Sequence, residues 1–82
     1  MTMQRWYHGT TEDAARNILR VGFIRVHNWF AVSVSDAKSM GGPVILAVDF
    51  DAAKVPPPDE NGRPAWQMCV HEAIPPKRVH LL

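Results

Sequence analysis

The sequence has one cysteine, Cys69, and almost no net charge. A single cysteine excludes an internal disulfide and a cysteine-rich structural zinc site. It is typical of a reducing compartment, so we expect a cytoplasmic protein. Nine basic and eight acidic side chains give a net charge of +1, which does not indicate nucleic-acid or membrane binding by charge alone. No apolar run has the length of a membrane span or a signal peptide, so we expect no membrane partner.

The composition is typical of a globular protein. Hydrophobic residues make up 46% and charged residues 21% of the 82 positions, which is ordinary for a folded domain. We therefore expect one small domain that spans residues 1–82. A chain of this length buries only about 60–65% of its unfolded surface, so we expect a compact fold of marginal stability.

Local patterns predict an α+β fold. Residues 4–8 are typical of a strand that ends at Gly9, and Thr10 or Thr11 is predicted to cap a helix that ends at Gly22. Ser35 and Asp36 are predicted to cap a short second helix. Further strands are expected at 29–34, 43–50, 65–70 and 78–82, with a proline-rich connection at 52–64. The sequence thus predicts a small sheet of four or five strands, one main helix and one short helix.

His8, Gly9 and Thr10 lie where a predicted strand meets a predicted helix N-terminus. An imidazole at this point can hydrogen-bond a ribose hydroxyl, and glycine lets the backbone approach a ligand. The free N–H groups of a helix start favour phosphate. These three residues are our candidate cofactor-binding stretch. In the alternative interpretation, His8 only ends a strand and Gly9 only makes the turn.

Trp29, Phe30 and Ser33 are the candidates in the second predicted strand. Adjacent strand residues point to opposite faces, so one aromatic ring packs in the core and the other is free to stack on nicotinamide or adenine. Packing alone is an equal explanation for both rings. Ser33 is a candidate for pointing into the same cleft, whereas Ser35 is explained as a helix cap.

Gln67 and Glu72 are the candidates for a catalytic step. A carboxylate beside a cleft stabilises an oxocarbenium-like cation as a sugar–base bond breaks, although Glu72 also suits a solvated turn. Gln67 is a polar residue in an apolar strand, and it faces either solvent or a site. His27, His71 and His80 lack the i, i+4 spacing of a helical metal pair, so we expect no metal site.

The order of three stretches, WYHGTTEDAARNILRVGF, WFAVSVSDAKSMGGPVILAVDF and WQMCVHEAIPPKRVHLL, resembles that of small members of the ADP-ribosyltransferase superfamily. It is also similar to the C-terminal lobe of the RNA 2′-phosphotransferases. The resemblance covers nearly the whole chain. Its most specific part is Tyr-His-Gly-Thr at residues 7–10 together with the helix that leads to Gly22.

The resemblance implies a split, strongly curved sheet around a cleft that binds NAD. It implies that His8 holds a ribose and that the backbone of Gly9 approaches nicotinamide. Trp29 or Phe30 stands where the family has a stacking tyrosine. Gln67 stands near the position of the family's glutamate, a departure that removes a charge from the catalytic step.

Three functions are compatible with these features. The first is an NAD-dependent ADP-ribosyltransferase, which cleaves the nicotinamide–ribose bond and passes ADP-ribose to an unknown protein, nucleic-acid or small-molecule acceptor. In this hypothesis His8 orients the ribose and Gln67 or Glu72 steadies the cation. The second is a non-catalytic binder of NAD, ADP-ribose or a related signalling nucleotide. The third is a protein-interaction module that uses the three tryptophans. Because transferases of this family are commonly longer, a homo-oligomer that completes the cleft is a further expectation.

Overall fold

The computed structural model describes residues 2–24, 27–55 and 66–82. These residues form a five-stranded antiparallel sheet and two α-helices, which confirms the predicted α+β class. The proline-rich connection predicted at 52–64 falls mostly on residues 56–65, outside the described ranges. Along the chain the elements are β1 Met3–Thr10, α1 Glu12–Val21, β2 Asn28–Ala31, α2 Val34–Gly41, β3 Val44–Asp51, β4 Gln67–Val70 and β5 Val79–Leu81.

The strands lie in the order β4-β2-β1-β3-β5, so β4 and β5 are the two edges of the sheet. The two helices cover opposite faces of the sheet. Ile18 and Leu19 of α1 pack on the core that contains Leu46, whereas Ala37 of α2 packs on the face that contains Ile45. Strand β3 is therefore covered on both sides, which explains its nearly continuous apolar run. No helix in the described ranges is long and apolar enough to cross a bilayer.

Helix α1 begins and ends as the sequence indicates. Thr11, one of the two predicted caps, accepts a hydrogen bond from the backbone N–H of Ala14 at 3.3 Å. Gly22 ends the helix with φ +82°, and its N–H donates to the carbonyl oxygen of Ile18. A side chain at Gly22 would also overlap the backbone of Ile74. Both the positive φ and this close contact therefore require glycine here.

The predicted ends of β1 and β2 and the predicted cap of α2 are wrong. Strand β1 does not end at Gly9 but continues to Thr10, which pairs with Val44. Strand β2 ends at Ala31, and Ser33 rather than Ser35 caps α2. The Ser33 hydroxyl accepts from the N–H of Asp36 at 3.2 Å and donates to its carboxylate at 2.8 Å. Because Ser33 caps the helix, α2 begins at Val34, earlier than the predicted cap at Ser35 implies.

Candidate functional site

A cleft of about 820 Å³ lies where the carboxyl end of β1 and the amino end of β2 meet the two helices. Its volume is within the range of small-molecule sites. The structure brings five of the predicted site residues to its lining, and these come from three strands: His8, Gly9, Thr10, Trp29 and Gln67.

The cleft exists because β1 and β2 separate. Strands β1 and β3 pair along their full length, from Met3–Asp51 to Thr10–Val44. Within the described strands, β1 and β2 share the single Cα pair Tyr7–Ala31. Beyond this pair, the last residues of β1 and the first residues of β2 are not paired with each other, although they pair with β3 and β4 on their other sides.

His8 bridges this separation. Its Nδ1 lies 2.8 Å from the carbonyl oxygen of Trp29. A carbonyl oxygen only accepts, so Nδ1 carries the proton in this contact. The ring also contacts Phe23 edge-on, with centroids 5.0 Å apart, and Phe30 at 5.6 Å. These contacts fix the orientation of the imidazole on a cleft wall.

Burial lowers the pKa of His8 below its usual value, and the hydrogen bond to Trp29 only partly opposes this effect. The ring is therefore neutral near pH 7. In that tautomer Nε2 has no hydrogen and is an acceptor. The cleft thus presents an acceptor nitrogen that suits a hydroxyl or an amide N–H, and it does not present a cation at this point.

The same pKa shift is expected to make stability depend on pH. The unfolded chain binds the His8 proton more readily than the folded chain, so the stability is complete above the unfolded-state pKa of about 6.5. It decreases as the pH falls through that value toward the folded-state pKa. Urea denaturation at about pH 7.5 and about pH 5.5 measures the loss. His8→Asn cannot titrate at this site and should lose less than the wild type. Equal losses in the two proteins would contradict the assignment, since all other histidines are common to both.

Gly9 lies in the cleft lining, but the structure gives it a structural role that the sequence did not indicate. A Cβ at Gly9 would overlap the backbone carbonyl of Ala37 in α2. In turn, a Cβ at Gly41 would overlap the carbonyl oxygen of Gly9. The two glycines let α2 pack directly on the backbone of β1. Thr10, the third residue of the predicted stretch, is 9% exposed and ends β1.

The two adjacent aromatic residues of β2 separate as strand geometry requires. Phe30 is fully buried and packs against Phe23 and Phe50 in the core, so its ring does not face the cleft. Trp29 lines the cleft and is 48% exposed. Of this pair, only Trp29 borders the cleft.

The remaining candidate residues, Gln67, Glu72 and Ser33, do not lie in one site. Gln67 pairs with Ala31 across β4 and β2 and lines the cleft. Glu72 is exposed and lies beside a second cavity, of about 570 Å³, rather than in this cleft. Ser33 is engaged in capping α2. Of the catalytic candidates, only His8 and Gln67 lie in the cleft.

Sequence reasoning missed several residues of the lining. Asn17 and Ile18 of α1 line the cleft, and so does Asn28 at the start of β2. Polar residues on an amphipathic helix give no sign of the face they border. Their place in the cleft depends on how far β1 and β2 separate, which local patterns do not encode.

Sequence reasoning also missed a group of possible metal ligands. His27, Cys69 and His71 have ligand atoms that all lie within 4.8 Å of one another. The expectation of no metal site rested on the missing i, i+4 spacing. That reason fails, because strand pairing rather than helical spacing brings these side chains together.

Comparisons with known proteins do not identify a family for this chain. No protein-family model matches it, and no curated protein matches it at a significant level. The ADP-ribosyltransferase resemblance therefore depends on the quoted stretches alone.

Proposed function

We propose that the protein binds the ribonucleoside part of NAD, ADP-ribose or a related nucleotide in the cleft beside His8. The observation that carries this proposal is the neutral, oriented imidazole of His8, held by the carbonyl of Trp29 in a cleft of about 820 Å³. Its acceptor nitrogen matches a ribose hydroxyl or a base N–H. The resemblance of residues 7–10 to the ribose-binding motif of the ADP-ribosyltransferases supports the same ligand.

Trp29 supplies the second element of nucleoside recognition. Its carbonyl fixes His8, and the half-exposed residue lines the same cleft. Stacking of a base on an aromatic side chain contributes about 1–3 kcal/mol. A nucleoside combines a flat ring with hydroxyl donors, and the pairing of Trp29 with His8 suits both parts.

The charge of the lining favours binding over catalysis. Among the described residues that line the cleft there is no Asp, Glu, Lys or Arg. An uncharged ribose and base suit such a lining, and the phosphates of the ligand are placed toward its mouth. No described carboxylate is available there to stabilise an oxocarbenium-like cation.

A second candidate, NAD-dependent ADP-ribosyl transfer to an unknown acceptor, is favoured by one observation. Gln67 lies in the cleft, on β4, at the place where the resemblance puts the family's catalytic glutamate. An amide can hydrogen-bond a ribose hydroxyl but carries no charge. If the protein cleaves NAD, Gln67 hydrogen-bonds the ribose that His8 orients. The interaction-module hypothesis loses one of its three tryptophans, because Trp6 is only 2% exposed.

The test is calorimetric titration of the protein with NAD and with ADP-ribose, followed by chromatography of the NAD mixture for free nicotinamide. We expect saturable binding of at least one ligand and no nicotinamide. Binding with stoichiometric or catalytic nicotinamide release would establish the second candidate instead. Absence of heat and of thermal stabilisation with both ligands would overturn the proposal.

Variants of two exposed tryptophans provide the matched control. Trp29→Ala should weaken binding about 5- to 150-fold, which corresponds to the loss of about 1–3 kcal/mol of stacking. Trp66→Ala changes a tryptophan that is 40% exposed and does not line the cleft, so it should bind like the wild type. Equal weakening in both variants would indicate a general structural effect rather than stacking.

A further inference from the structure

The sheet edge formed by β4 carries a cluster of metal-ligating side chains. Met68 and Val70 are buried in the core, so Cys69 and the following His71 lie on the opposite, more accessible side. Asn28 pairs with Val70, and Trp29 pairs with Cys69. One further step of this register places His27 opposite His71. Cross-strand neighbours on one face are about 4.5–5.5 Å apart at Cβ, which is why the three side chains meet.

The distances between the ligand atoms are close to those that tetrahedral zinc coordination needs. The two imidazole nitrogens and the Cys69 sulfur lie within 4.8 Å of one another. Zinc with bonds of about 2.0–2.3 Å requires ligand atoms about 3.3–3.8 Å apart, so the cluster has to close by about 1 Å. Rotation of the exposed His27 and His71 side chains is sufficient for such a change.

We infer that His27, Cys69 and His71 form a zinc(II) site at this edge of the sheet. One thiolate and two imidazoles are a donor set that zinc prefers, and a water molecule completes the tetrahedron. Binding replaces the thiol proton of Cys69 by the metal and releases that proton to solvent. Zinc binding at this site does not depend on the proposed nucleotide binding, although His27 also borders the cleft.

The site would act as a cross-link between two chain segments. Strand β4 is an edge strand of only four residues, and it pairs with β2, which has four residues as well. A metal held by His27 from one segment and by Cys69 and His71 from the other ties this pair together. Small domains often gain stability from such a staple.

The competing explanation is that the two histidines only contact each other. Their rings are T-shaped, with centroids 4.8 Å apart and an interplanar angle of 87°. Such a pair does not require Cys69. Participation of the sulfur therefore separates a metal site from a ring contact.

The experiment uses the full chain after removal of metal with a chelator, and titrates it with Zn²⁺ and separately with Co²⁺. We expect one ion per chain, a higher thermal midpoint, and a thiolate-to-cobalt charge-transfer band with the visible absorption of tetrahedral cobalt. Zn²⁺ should also protect Cys69 from alkylation. Binding of neither ion, or cobalt binding without the thiolate band, would overturn the inference.

Three variants complete the test. Cys69→Ser and His71→Asn should each weaken Zn²⁺ binding by about 100-fold, because each removes one of three protein ligands. His80→Asn changes an exposed histidine outside the cluster and should bind like the wild type. Unchanged affinity in the first two variants would overturn the site. Because His71 is exposed, its variant remains informative if Cys69→Ser is poorly folded.

Discussion

Gly9→Ala is expected to destabilise the protein by about 3 kcal/mol or more, beyond the usual cost of an overpacked side chain. The added methyl group would overlap the carbonyl of Ala37, and backbone cannot rotate away as a flexible side chain does. Helix α2 would have to move off β1. A domain of this size has a total stability of about 4–12 kcal/mol, so the substitution removes a large fraction of it. Urea denaturation followed by far-UV circular dichroism measures the loss.

Gly41→Ala provides a reciprocal check, because its methyl group would overlap the carbonyl of Gly9 from the other side of the same contact. We expect a loss of similar size. Ser39→Ala, at an exposed position of the same helix, should change stability by less than about 0.5 kcal/mol. If Gly9→Ala were as mild as Ser39→Ala, α2 would not be packed tightly on β1. The structural role assigned to Gly9 would then be wrong.

Gly9 also shows where sequence reasoning about the fold reached its limit. The strand predicted at 43–50 and the helix predicted to end at Gly22 correspond to β3 and α1, because burial imposes a period on each element. A glycine that is needed for contact between two distant backbones leaves no such period. It looks the same as a turn glycine or a ligand-binding glycine. For that reason the sequence placed the end of β1 at Gly9, although β1 continues through it.

The chemical types of the site residues were easier to predict than their positions in the fold. His8, Trp29 and Gln67 were chosen because their side chains suit a nucleotide, and the fold brings all three to one cleft. Strand alternation predicted that Phe30 and Trp29 lie on opposite faces of the sheet. It did not predict which of the two would be buried. Glu72 follows β4, and its distance from the cleft depends on the path of the chain after the strand.

The cluster of His27, Cys69 and His71 illustrates the opposite case. Nothing in the spacing of residue 27 from residues 69 and 71 indicates proximity. Only the register of β2 against β4, set by burial of Phe30 against Met68 and Val70, brings them together. Pairwise register of short strands is a tertiary property, so a ligand set divided between two strands is not visible in a single sequence.

His8 variants are expected to separate ligand binding from folding. In His8→Asn the amide nitrogen takes the place of Nδ1 and can still donate to the carbonyl of Trp29, whereas the acceptor at the Nε2 position is lost. We expect stability at pH 7.5 to change little, and affinity for NAD or ADP-ribose to fall about tenfold or more, which corresponds to one hydrogen bond of about 1.4 kcal/mol.

His8→Gln is the complementary variant, which keeps a polar group at the Nε2 position and loses the one at Nδ1. Its amide reaches the Nε2 position but leaves the carbonyl of Trp29 without its donor, so we expect a stability loss of about 0.5–1.5 kcal/mol and a smaller loss of affinity than in His8→Asn. Calorimetric titration and urea denaturation of both variants give the four values. Undiminished affinity in His8→Asn would mean that the imidazole serves only to hold β1 against β2 through Trp29. The nucleotide would then have to be bound by other residues of the cleft.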